Sequence, residues 1–327
     1  MKVVRFRQAG GEPRLGFLVG ETVVAPILSA QLSAEERSLF RDTVSFINSG
    51  ERGISLGNHI VRKAGSNEQF RLSDVTLAAP IVPSTILCSG SNYRDHNAEK
   101  ANAPTSGKEP EFFIKSADSV VGPNDFIIHD PALTMKLDCE TELAIVIGKS
   151  GRHIPLERAL THVFGYTICN DVTARDRQVR RADNGTIWYD LGRGKAFDTS
   201  ACIGPCIVTA DEIGDPQRLH LSTRINGELR QNANTSEMIW NCASLIHSLS
   251  VNFTLKPGMV IITGTPAGTA WSTDKELGGT WTGSASLIPA TRYCMPGDLI
   301  ECTIDKIGTL TNSVTAFAET PTNAYEI

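Results

Sequence analysis

The sequence contains the stretch Leu137-Asp138-Cys139-Glu140-Thr141-Glu142-Leu143-Ala144-Ile145-Val146-Ile147-Gly148-Lys149, in which the acidic residues Glu140 and Glu142 lie directly before a five-residue apolar run. The run is rich in β-branched residues and ends at a glycine, which is typical of a buried strand. Side chains at i and i+2 of a strand point to the same face, about 6–7 Å apart, so Glu140 and Glu142 are predicted to aim at one spot. Two buried like charges are costly unless a cation or a proton lies between them. The spacing therefore indicates metal or acid–base chemistry, with a solvated strand end as the alternative.

The composition limits the class of protein. The 327 residues include 31 basic and 36 acidic ones, which gives a formal net charge of −5, and 41% are hydrophobic. No basic excess points to nucleic acid, and no apolar run has the length or position of a membrane span or a signal peptide. The eight cysteines contain no Cys-x-x-Cys pair, so we expect reduced, mostly buried thiols in a cytoplasmic protein.

The order of the predicted elements indicates an α+β protein that is mostly β. Many short strands, few helices and no βαβ rhythm favour a mixed, largely antiparallel architecture. Residues 1–78 are predicted to form a small α/β N-terminal domain, with strands at Lys2–Gln8 and Leu15–Val24 and a helix at Ala34–Asn48. Residues 79–327 would form the catalytic domain.

A second group of candidate residues follows a short strand that begins at Ile86 and runs through Gly90 into a polar helix start. His96 and Glu99, at i and i+3, share a helix face. A carboxylate beside an imidazole raises its basicity and fixes its tautomer, which suits a general base. An exposed His–Glu pair on a polar helix is the alternative. The stretch Ala101–Pro110 is a candidate lid.

A third carboxylate, Asp171, follows the predicted strand Phe164–Cys169. It is predicted to open a helix over Val172–Arg180, in which Arg175 and Gln178, at +4 and +7, share its face. A guanidinium and an amide beside a carboxylate cluster suggest a pocket for an anionic, oxygen-rich ligand. A plain helix N-cap is the alternative role for Asp171.

Two glycine-containing segments complete the predicted pocket. Leu191–Thr199 allows the backbone and Lys195 to approach a ligand closely. Pro257–Gly268 is typical of a buried strand that ends in a turn, which presents backbone N–H groups and the Thr265 hydroxyl to an anion. The long connection over residues 269–295 is a candidate rim.

Together these segments resemble the fumarylacetoacetate hydrolase family over about residues 84–312. The resemblance rests on six motifs in the family's order, which are Asn92-Tyr93-x-Asp95-His96-x-x-Glu99, Glu140-x-Glu142-Leu143-Ala144, Asn170-Asp171-Val172-Thr173-Ala174-Arg175-Asp176, Gly194-Lys195-x-Phe197-Asp198-Thr199, Thr263-Gly264-Thr265-Pro266-x-Gly268 and Pro296-Gly297-Asp298. It implies a mixed β-roll or β-sandwich catalytic domain and usually a homodimer.

The resemblance also implies roles for individual residues. The metal ligands would be Glu140, Glu142 and Asp171, and such hard oxygen ligands suit Mg²⁺ or Mn²⁺, with Ca²⁺ as a further option. His96 and Glu99 match the water-activating dyad, and Lys195 matches a further catalytic position. The substrate-binding positions match Arg175, Gln178, Lys195, Thr265 and Tyr93.

The implied activity is metal-dependent hydrolysis of a C–C bond in a 2,4-dioxo acid of the acylpyruvate type, which yields a pyruvate-type acid and a carboxylic acid. Decarboxylases, isomerases, hydratases and lyases of related oxo acids stay open on the same fold, and a non-catalytic binding protein is less favoured. Among these reactions, His96 and Glu99 favour hydrolysis or decarboxylation over simple tautomerisation. The expected partner is a small oxo acid, without nucleic acid or membrane. Arg180–Arg193 and residues 269–295 are longer than the family spacing, which leaves the substrate open.

Overall fold

Strands predominate among the residues that this computed structural model describes, which are 1–100, 107–184 and 186–318. The strands are β1 Lys2–Arg7, β2 Arg14–Val19, β3 Thr22–Val24, β4 Gln69–Arg71, β5 Thr76–Ala78, β6 Ile86–Gly90, β7 Glu111–Lys115, β8 Val120–Val121, β9 Phe126–His129, β10 Leu137–Asp138, β11 Thr141–Ile147, β12 Val163–Asp171, β13 Thr173–Ala174, β14 Val179–Arg181, β15 Ile187–Tyr189, β16 Ala201–Thr209, β17 His220–Ile225, β18 Glu228–Asn234, β19 Val260–Ile262, β20 Leu299–Ile304 and β21 Gly308–Ala316. This confirms the prediction of an α+β protein that is mostly β.

The α-helices are few and mostly short. They are α1 Ala34–Ser38, α2 Thr43–Asn48, α3 Gly50–Lys63, α4 Arg94–Ala98, α5 Arg175–Gln178, α6 Leu191–Lys195, α7 Ala210–Ile213 and α8 Cys242–Asn252. Within the described ranges, no helix combines the length and apolar character that a membrane crossing requires.

The largest sheet has twelve strands in the order β4-β3-β2-β1-β16-β12-β11-β19-β6-β7, with β5 paired to β1 and β8 to β16. A second sheet has the order β18-β17-β20-β21-β9, and two ribbons pair β10 with β13 and β14 with β15. Most pairs are antiparallel, whereas β6–β19, β8–β16 and β9–β21 are parallel. The architecture is therefore mixed and largely antiparallel, as predicted.

Strand β11 occupies an inner position of the large sheet, between β12 and β19, and all seven of its residues are buried. The odd-numbered apolar residues from Leu143 to Ile147 pack into one hydrophobic core, and the even-numbered ones pack into another. This alternation follows from the two-residue period of a strand. Glu140 and Glu142 continue the even-numbered face and therefore lie together at the start of the strand.

The N-terminal strands belong to the sheet that carries these acids. Strand β1 pairs with β16, and Val4 and Phe6 of β1 lie in the same hydrophobic core as Leu143 of β11. The predicted boundary at residue 78 thus crosses one continuous sheet. The division into two domains stays a prediction.

Two predicted N-terminal elements are divided in the structure. The expected helix over Ala34–Asn48 is broken into α1 and α2, because the Asp42 side chain accepts the Ser45 N–H at 2.6 Å and begins a new helix. The expected strand over Leu15–Val24 is the hairpin of β2 and β3. Both breaks come from local turns that the apolar pattern does not show.

The predicted helix from Asp171 to Arg180 is wrong. Asp171 is the last residue of β12, where it pairs with Ala201 of β16, and its N–H donates to the Glu140 carbonyl oxygen at 2.9 Å. Strand β13 then precedes the four-residue helix α5. Arg175 and Gln178 therefore reach the site from α5, and Asp171 reaches it from a strand end.

The two segments predicted as rim and lid differ in how far the structure describes them. The connection over residues 269–295 is irregular as predicted, with a 3₁₀ turn at Ala270–Thr273. Of the candidate lid Ala101–Pro110, residues 101–106 lie outside the described residues.

Candidate active site

Three buried carboxylates meet where β11 begins and β12 ends. Glu140, Glu142 and Asp171 each contribute one oxygen to a group in which all atoms lie within 4.8 Å of one another. Each residue is at most 4% exposed. The antiparallel register produces this cluster, because β12 ends directly opposite the start of β11. The structure thus brings the three predicted metal-ligating residues together.

Two lysines place ammonium groups against this cluster. Lys195 Nζ lies 2.7 Å from both Glu140 Oε2 and Asp171 Oδ2. Lys115 Nζ lies 2.9 Å from Asp171 Oδ1 and also donates to the Lys195 carbonyl oxygen. Burial opposes the charged form of Lys195, but Asp171 and Glu140 outweigh it and raise the lysine pKa. Lys195 is therefore a permanent cation rather than a proton acceptor.

Close packing between α5 and α6 fixes where Lys195 points. A Cβ atom added to Gly194 would lie only 2.4 Å from the Gln178 Cβ atom, so the two helices approach at a distance that a side chain here would prevent. Lys195 is the last residue of α6. The predicted role of this glycine, to permit a close approach, corresponds to a helix contact.

Arg175 links the carboxylate cluster to the rim. Its guanidinium donates to Glu140 Oε1 at 2.5 Å, to Asp138 Oδ2 at 2.8 Å and to Gln178 Oε1 at 2.9 Å. Asp138 also accepts the Trp271 N–H at 3.1 Å. Burial opposes the charge on Arg175, but Glu140 and Asp138 outweigh it and raise the arginine pKa. Such fork-shaped pairing holds a guanidinium in one orientation.

Of the three clustered carboxylates, Glu142 has the negative charge that cations compensate least, because the described ion pairs involve Glu140 and Asp171. It accepts the Gly264 N–H at 2.6 Å, and Gly264 has a φ of +91°, a backbone conformation that favours glycine. Burial and the neighbouring charges of Asp171 and Glu140 raise the pKa of Glu142. A bound cation would relieve this repulsion.

The charge balance and the donor atoms of the site fit a divalent metal ion. Four buried carboxylates face three buried cations, which gives a formal charge of −1 when every carboxylate is ionised. The members of this group are Asp138, Glu140, Glu142, Asp171, Lys115, Arg175 and Lys195. Carboxylate oxygens are the ligands that Mg²⁺, Mn²⁺ and Ca²⁺ prefer. A divalent ion would make the site positive and thus favourable for an anionic substrate.

His96 and Glu99 form a buried hydrogen-bonded pair, and His96 lies in the wall of a cavity that the three carboxylates also line. His96 Nδ1 lies 2.8 Å from Glu99 Oε2, and Glu99 Oε1 accepts the Gly268 N–H at 2.7 Å. Burial, followed by the charge of Lys100, lowers the pKa of His96. Burial raises the pKa of Glu99 to about 8. The alternative of an exposed surface pair is excluded, because His96 is 4% and Glu99 1% exposed.

The two pKa shifts have opposite directions but one cause, because burial favours the neutral form of each side chain. Below about pH 8 the pair is electrically neutral, with a proton held between Glu99 and His96 Nδ1. Above that pH, Glu99 is a carboxylate that accepts the Nδ1 proton, which leaves the Nε2 lone pair free. No hydrogen bond to Nε2 is formed by any described residue, so this atom is available to a ligand.

The cavity is lined by most of the predicted site residues and by several that the sequence reasoning missed. The predicted residues in its wall are His96, Glu140, Glu142, Asp171, Arg175, Gln178, Lys195 and Thr265. Newly found in the wall are the charged residues Lys100 and Glu111 and the aromatic residues Tyr189 and Trp271. Asp138 and Lys115, described above, support the wall from behind. Asp138 could have been found from its i−2 spacing to Glu140, which places both on one strand face.

Two predicted substrate-binding residues differ from expectation. Tyr93 is fully buried in the hydrophobic core and is not in the cavity wall. The resemblance marks its motif but does not show which way the side chain points. Thr265 lines the cavity, but its hydroxyl donates to the Thr141 carbonyl oxygen at 3.1 Å and accepts from Gln231 Nε2 at 2.8 Å. Its hydroxyl proton is therefore already used within the protein.

Comparisons with known proteins show which family this chain is similar to. The family described as fumarylacetoacetate (FAA) hydrolase C-terminal matches residues 85–315. An oxaloacetate tautomerase of Bacillus subtilis is 42% identical over 247 residues, which is 75% of each chain. An oxaloacetate tautomerase of Bos taurus is 39% identical over 286 residues, which cover 86% of this chain and 82% of the relative.

A solved structure extends the comparison to a metal complex. The crystal structure of maleylpyruvate hydrolase from a Sphingobium species, in complex with manganese(II) and pyruvate, has a TM-score of 0.71 and 25% sequence identity to this chain. The match covers 97% of this chain and 100% of that one.

Proposed function

The chain belongs to the fumarylacetoacetate hydrolase family, and from this premise we propose that it is a divalent-metal-dependent tautomerase. Its substrate would be a short 2-oxo dicarboxylic acid of the oxaloacetate type, interconverted between keto and enol forms. One observation carries this proposal: His96, which is hydrogen-bonded to Glu99, shares a cavity wall with the three-carboxylate cluster. The names of the Bacillus subtilis and Bos taurus relatives support the reaction and the substrate class.

The metal ligands in this proposal are Glu140, Glu142 and Asp171. Their oxygens suit Mg²⁺ or Mn²⁺, whereas Ca²⁺ takes 6–8 oxygen ligands and is less favoured. A bound ion would act as a Lewis acid that polarises the 2-oxo carbonyl group and makes the C3 protons more acidic.

The cationic side of the cavity would hold the substrate's oxygens. Arg175 and Lys195 are already fixed by ion pairs, so they would offer charge without reorganisation. Gln178 accepts from Arg175 through Oε1, which orients its Nε2 amide as a donor. These groups would stabilise the negative charge of the substrate's carboxylate and of its developing enolate oxygen.

His96 would carry the proton between the two tautomers. In the direction from keto to enol, Nε2 takes a proton from C3, and the same proton is then given to the 2-oxo oxygen. Glu99 holds the Nδ1 proton and stabilises the transient imidazolium, as expected for a carboxylate that orients a general base. The Gly268 N–H in turn fixes Glu99.

Hydrolysis of an acylpyruvate-type 2,4-dioxo acid is the second candidate. The buried dyad also suits activation of water, and the resemblance to maleylpyruvate hydrolase favours it. Here His96 Nε2 would take a proton from water, whose oxygen attacks the C4 carbonyl carbon. The C3–C4 bond then breaks, the carboxylic acid leaves, and the enolate that remains is protonated at C3 to give the pyruvate-type product.

One assay separates these candidates. Chelator-treated protein, with and without added Mg²⁺ or Mn²⁺, would be given oxaloacetate, acetylpyruvate and maleylpyruvate, while enol absorbance and pyruvate release are followed. Metal-dependent loss of enol absorbance from oxaloacetate without pyruvate supports the tautomerase. Pyruvate from either acylpyruvate supports the hydrolase, and pyruvate from oxaloacetate alone indicates a decarboxylase. No change with any substrate would contradict both candidates.

A further inference from the structure

One lysine in the cavity wall, Lys100, lies outside the ion pairs of the carboxylate cluster. Lys100 Nζ donates to Ser91 Oγ at 2.7 Å, and no described acidic side chain lies within ion-pair distance of it. An ammonium group has three N–H donors, so two remain for a ligand. This distinguishes Lys100 from Arg175 and Lys195, whose charges are paired within the protein.

The position of Lys100 is fixed by its neighbours. Ser91 has a φ of 54°, an uncommon backbone conformation for a residue other than glycine, and its carbonyl oxygen accepts Asn97 Nδ2 at 2.8 Å. The Lys100 backbone pairs with Gly279 of the rim. The ammonium group is thus held between the end of β6 and the rim.

Trp271 relates this ammonium to the rest of the cavity. The Lys100 Nζ atom lies 5.6 Å from the centroid of the Trp271 ring, and the Arg175 guanidinium carbon lies 5.4 Å from it. The His96 ring meets the same indole edge-on at 6.3 Å. Lys100, Arg175 and His96 therefore surround one indole ring, so a substrate beside His96 would meet Lys100 as well as the paired cations of the carboxylate cluster.

We propose that Lys100 binds the distal carboxylate of the substrate and thereby selects 2-oxo dicarboxylic acids over 2-oxo acids with an uncharged tail. This inference rests on the proposed function, whose substrate class it makes more specific. Burial lowers the pKa of Lys100 to about 8, because it outweighs the opposing effect of the Glu140 and Glu111 charges. A substrate carboxylate would supply an anionic partner and favour the charged form.

A purely structural role would be to join the end of α4 to Ser91. That role makes a different prediction, because loss of a tether would lower thermal stability and weaken every ligand alike. Loss of a carboxylate-binding group would affect only ligands that carry the second carboxylate. The two roles are separated by ligands that differ in this one group.

The kinetic test compares K100M with wild type on oxaloacetate and on its 4-methyl ester. Lys100→Met keeps the length of the side chain and removes its charge. The KM for oxaloacetate should rise about 10- to 100-fold, the range for a hydrogen bond to a charged group, while the KM for the ester stays within about twofold. K100R should restore part of the preference. The control K149M changes an exposed lysine and should leave both KM values unchanged.

A binding test does not depend on turnover. Calorimetry on Mg²⁺-loaded protein would compare malate with 2-hydroxybutyrate, which carries a methyl group in place of the distal carboxylate. Wild type should bind malate more tightly and K100M should not discriminate, and this outcome would support Lys100 even if no tautomerase activity is found. Equal affinities in wild type, no binding of malate, or equal losses for both ligands in K100M would overturn the inference.

Discussion

At the level of single residues, the His96–Glu99 pair determines how activity depends on pH. Burial raises the Glu99 pKa to about 8, so the pair holds an additional proton below that pH. Removal of this proton frees the lone pair of His96 Nε2. We therefore expect kcat/KM of the metal-loaded enzyme to rise as pH increases through about 8. A profile that falls over this range would contradict the role of His96 as the base.

The variant E99Q tests the same pair independently. It should lower kcat by about 10²- to 10⁴-fold, the usual contribution of general acid–base catalysis, and should remove the rise near pH 8.

The dependence of stability on pH provides a second test of E99Q. The raised folded-state pKa of Glu99 favours folding below its unfolded value of about 4.3, and this contribution is lost as pH rises towards 8. Urea unfolding should therefore show a smaller loss of stability over this range in E99Q than in wild type.

Replacement of the cluster residue Glu142 by glutamine should weaken metal binding without lowering the stability of the metal-free protein. Glu142→Gln removes a buried charge that Asp171 and Glu140 repel, and the amide oxygen can still accept the Gly264 N–H. Metal-free E142Q should be at least as stable as metal-free wild type. Its Mn²⁺ affinity should fall about 100-fold or more, since loss of an outer partner alone costs 10–100-fold.

Thermal unfolding with and without Mn²⁺ measures both effects in one experiment. Wild type should gain about 2.7 kcal/mol when Mn²⁺ is present at 100 times its Kd, whereas E142Q should gain little. The control Glu157→Gln changes an exposed acid and should behave as wild type. An equal Mn²⁺-dependent stabilisation of E142Q and wild type would show that Glu142 is not a ligand.

At the level of elements, the contact between α5 and α6 leaves no room for an added methyl group at Gly194. Gly194→Ala would place a Cβ atom 2.4 Å from the Gln178 Cβ atom, so α6 must shift and move Lys195 away from Glu140. Overpacking of this kind costs about 1–3 kcal/mol. We expect reduced stability and reduced kcat in G194A, measured by urea unfolding and steady-state kinetics.

A matched control lies in the same helix. Gly192→Ala would meet only the Asp190 Oδ1 atom, at 3.6 Å, which is an ordinary contact. It should therefore leave stability and kcat close to wild type. If both variants behaved alike, the helix contact would not be what positions Lys195.

The same elements show how far the sequence predicts the site. The two-residue period of β11 was sufficient to place Glu140 and Glu142 on one face. The position of Asp171 depends on pairing with β11 and β16, which local patterns do not contain, and this pairing replaced the helix that its polar neighbours favoured. Lys115 contacts Asp171 from 56 positions away in the chain, so no spacing rule indicates its role.

Other parts of the site were predictable only as motifs. The resemblance identified the segment around Tyr93, but whether a side chain faces the core or the cavity depends on the turn into α4. Conversely, Lys100 lies next to a recognised motif and was not selected, because a lysine on a polar helix is ordinarily exposed. Only the structure shows that Lys100 lines the cavity and forms no ion pair with a described carboxylate.

At the level of the whole molecule, the quaternary state is still a prediction. The resemblance implies a homodimer with a small oxo acid as its partner. Light scattering on the purified protein would test it, with a mass of about twice 35.3 kDa expected for a dimer. A monomer that retains metal-dependent activity would show that one chain suffices for the site.

The shared sheet predicts that the N-terminal strands and the site unfold together. Phe6 of β1 is fully buried in the core that contains Leu143, which follows Glu142 in β11. Phe6→Ala should lower the free energy of unfolding by about 3–5 kcal/mol, whereas Val19→Ala, at a residue that is 49% exposed, should change it by about 0.5 kcal/mol or less. Calorimetry of wild type should show one transition that Mn²⁺ shifts as a whole. Two transitions, with Mn²⁺ shifting one and Phe6→Ala only the other, would show instead that residues 1–78 fold as an independent domain.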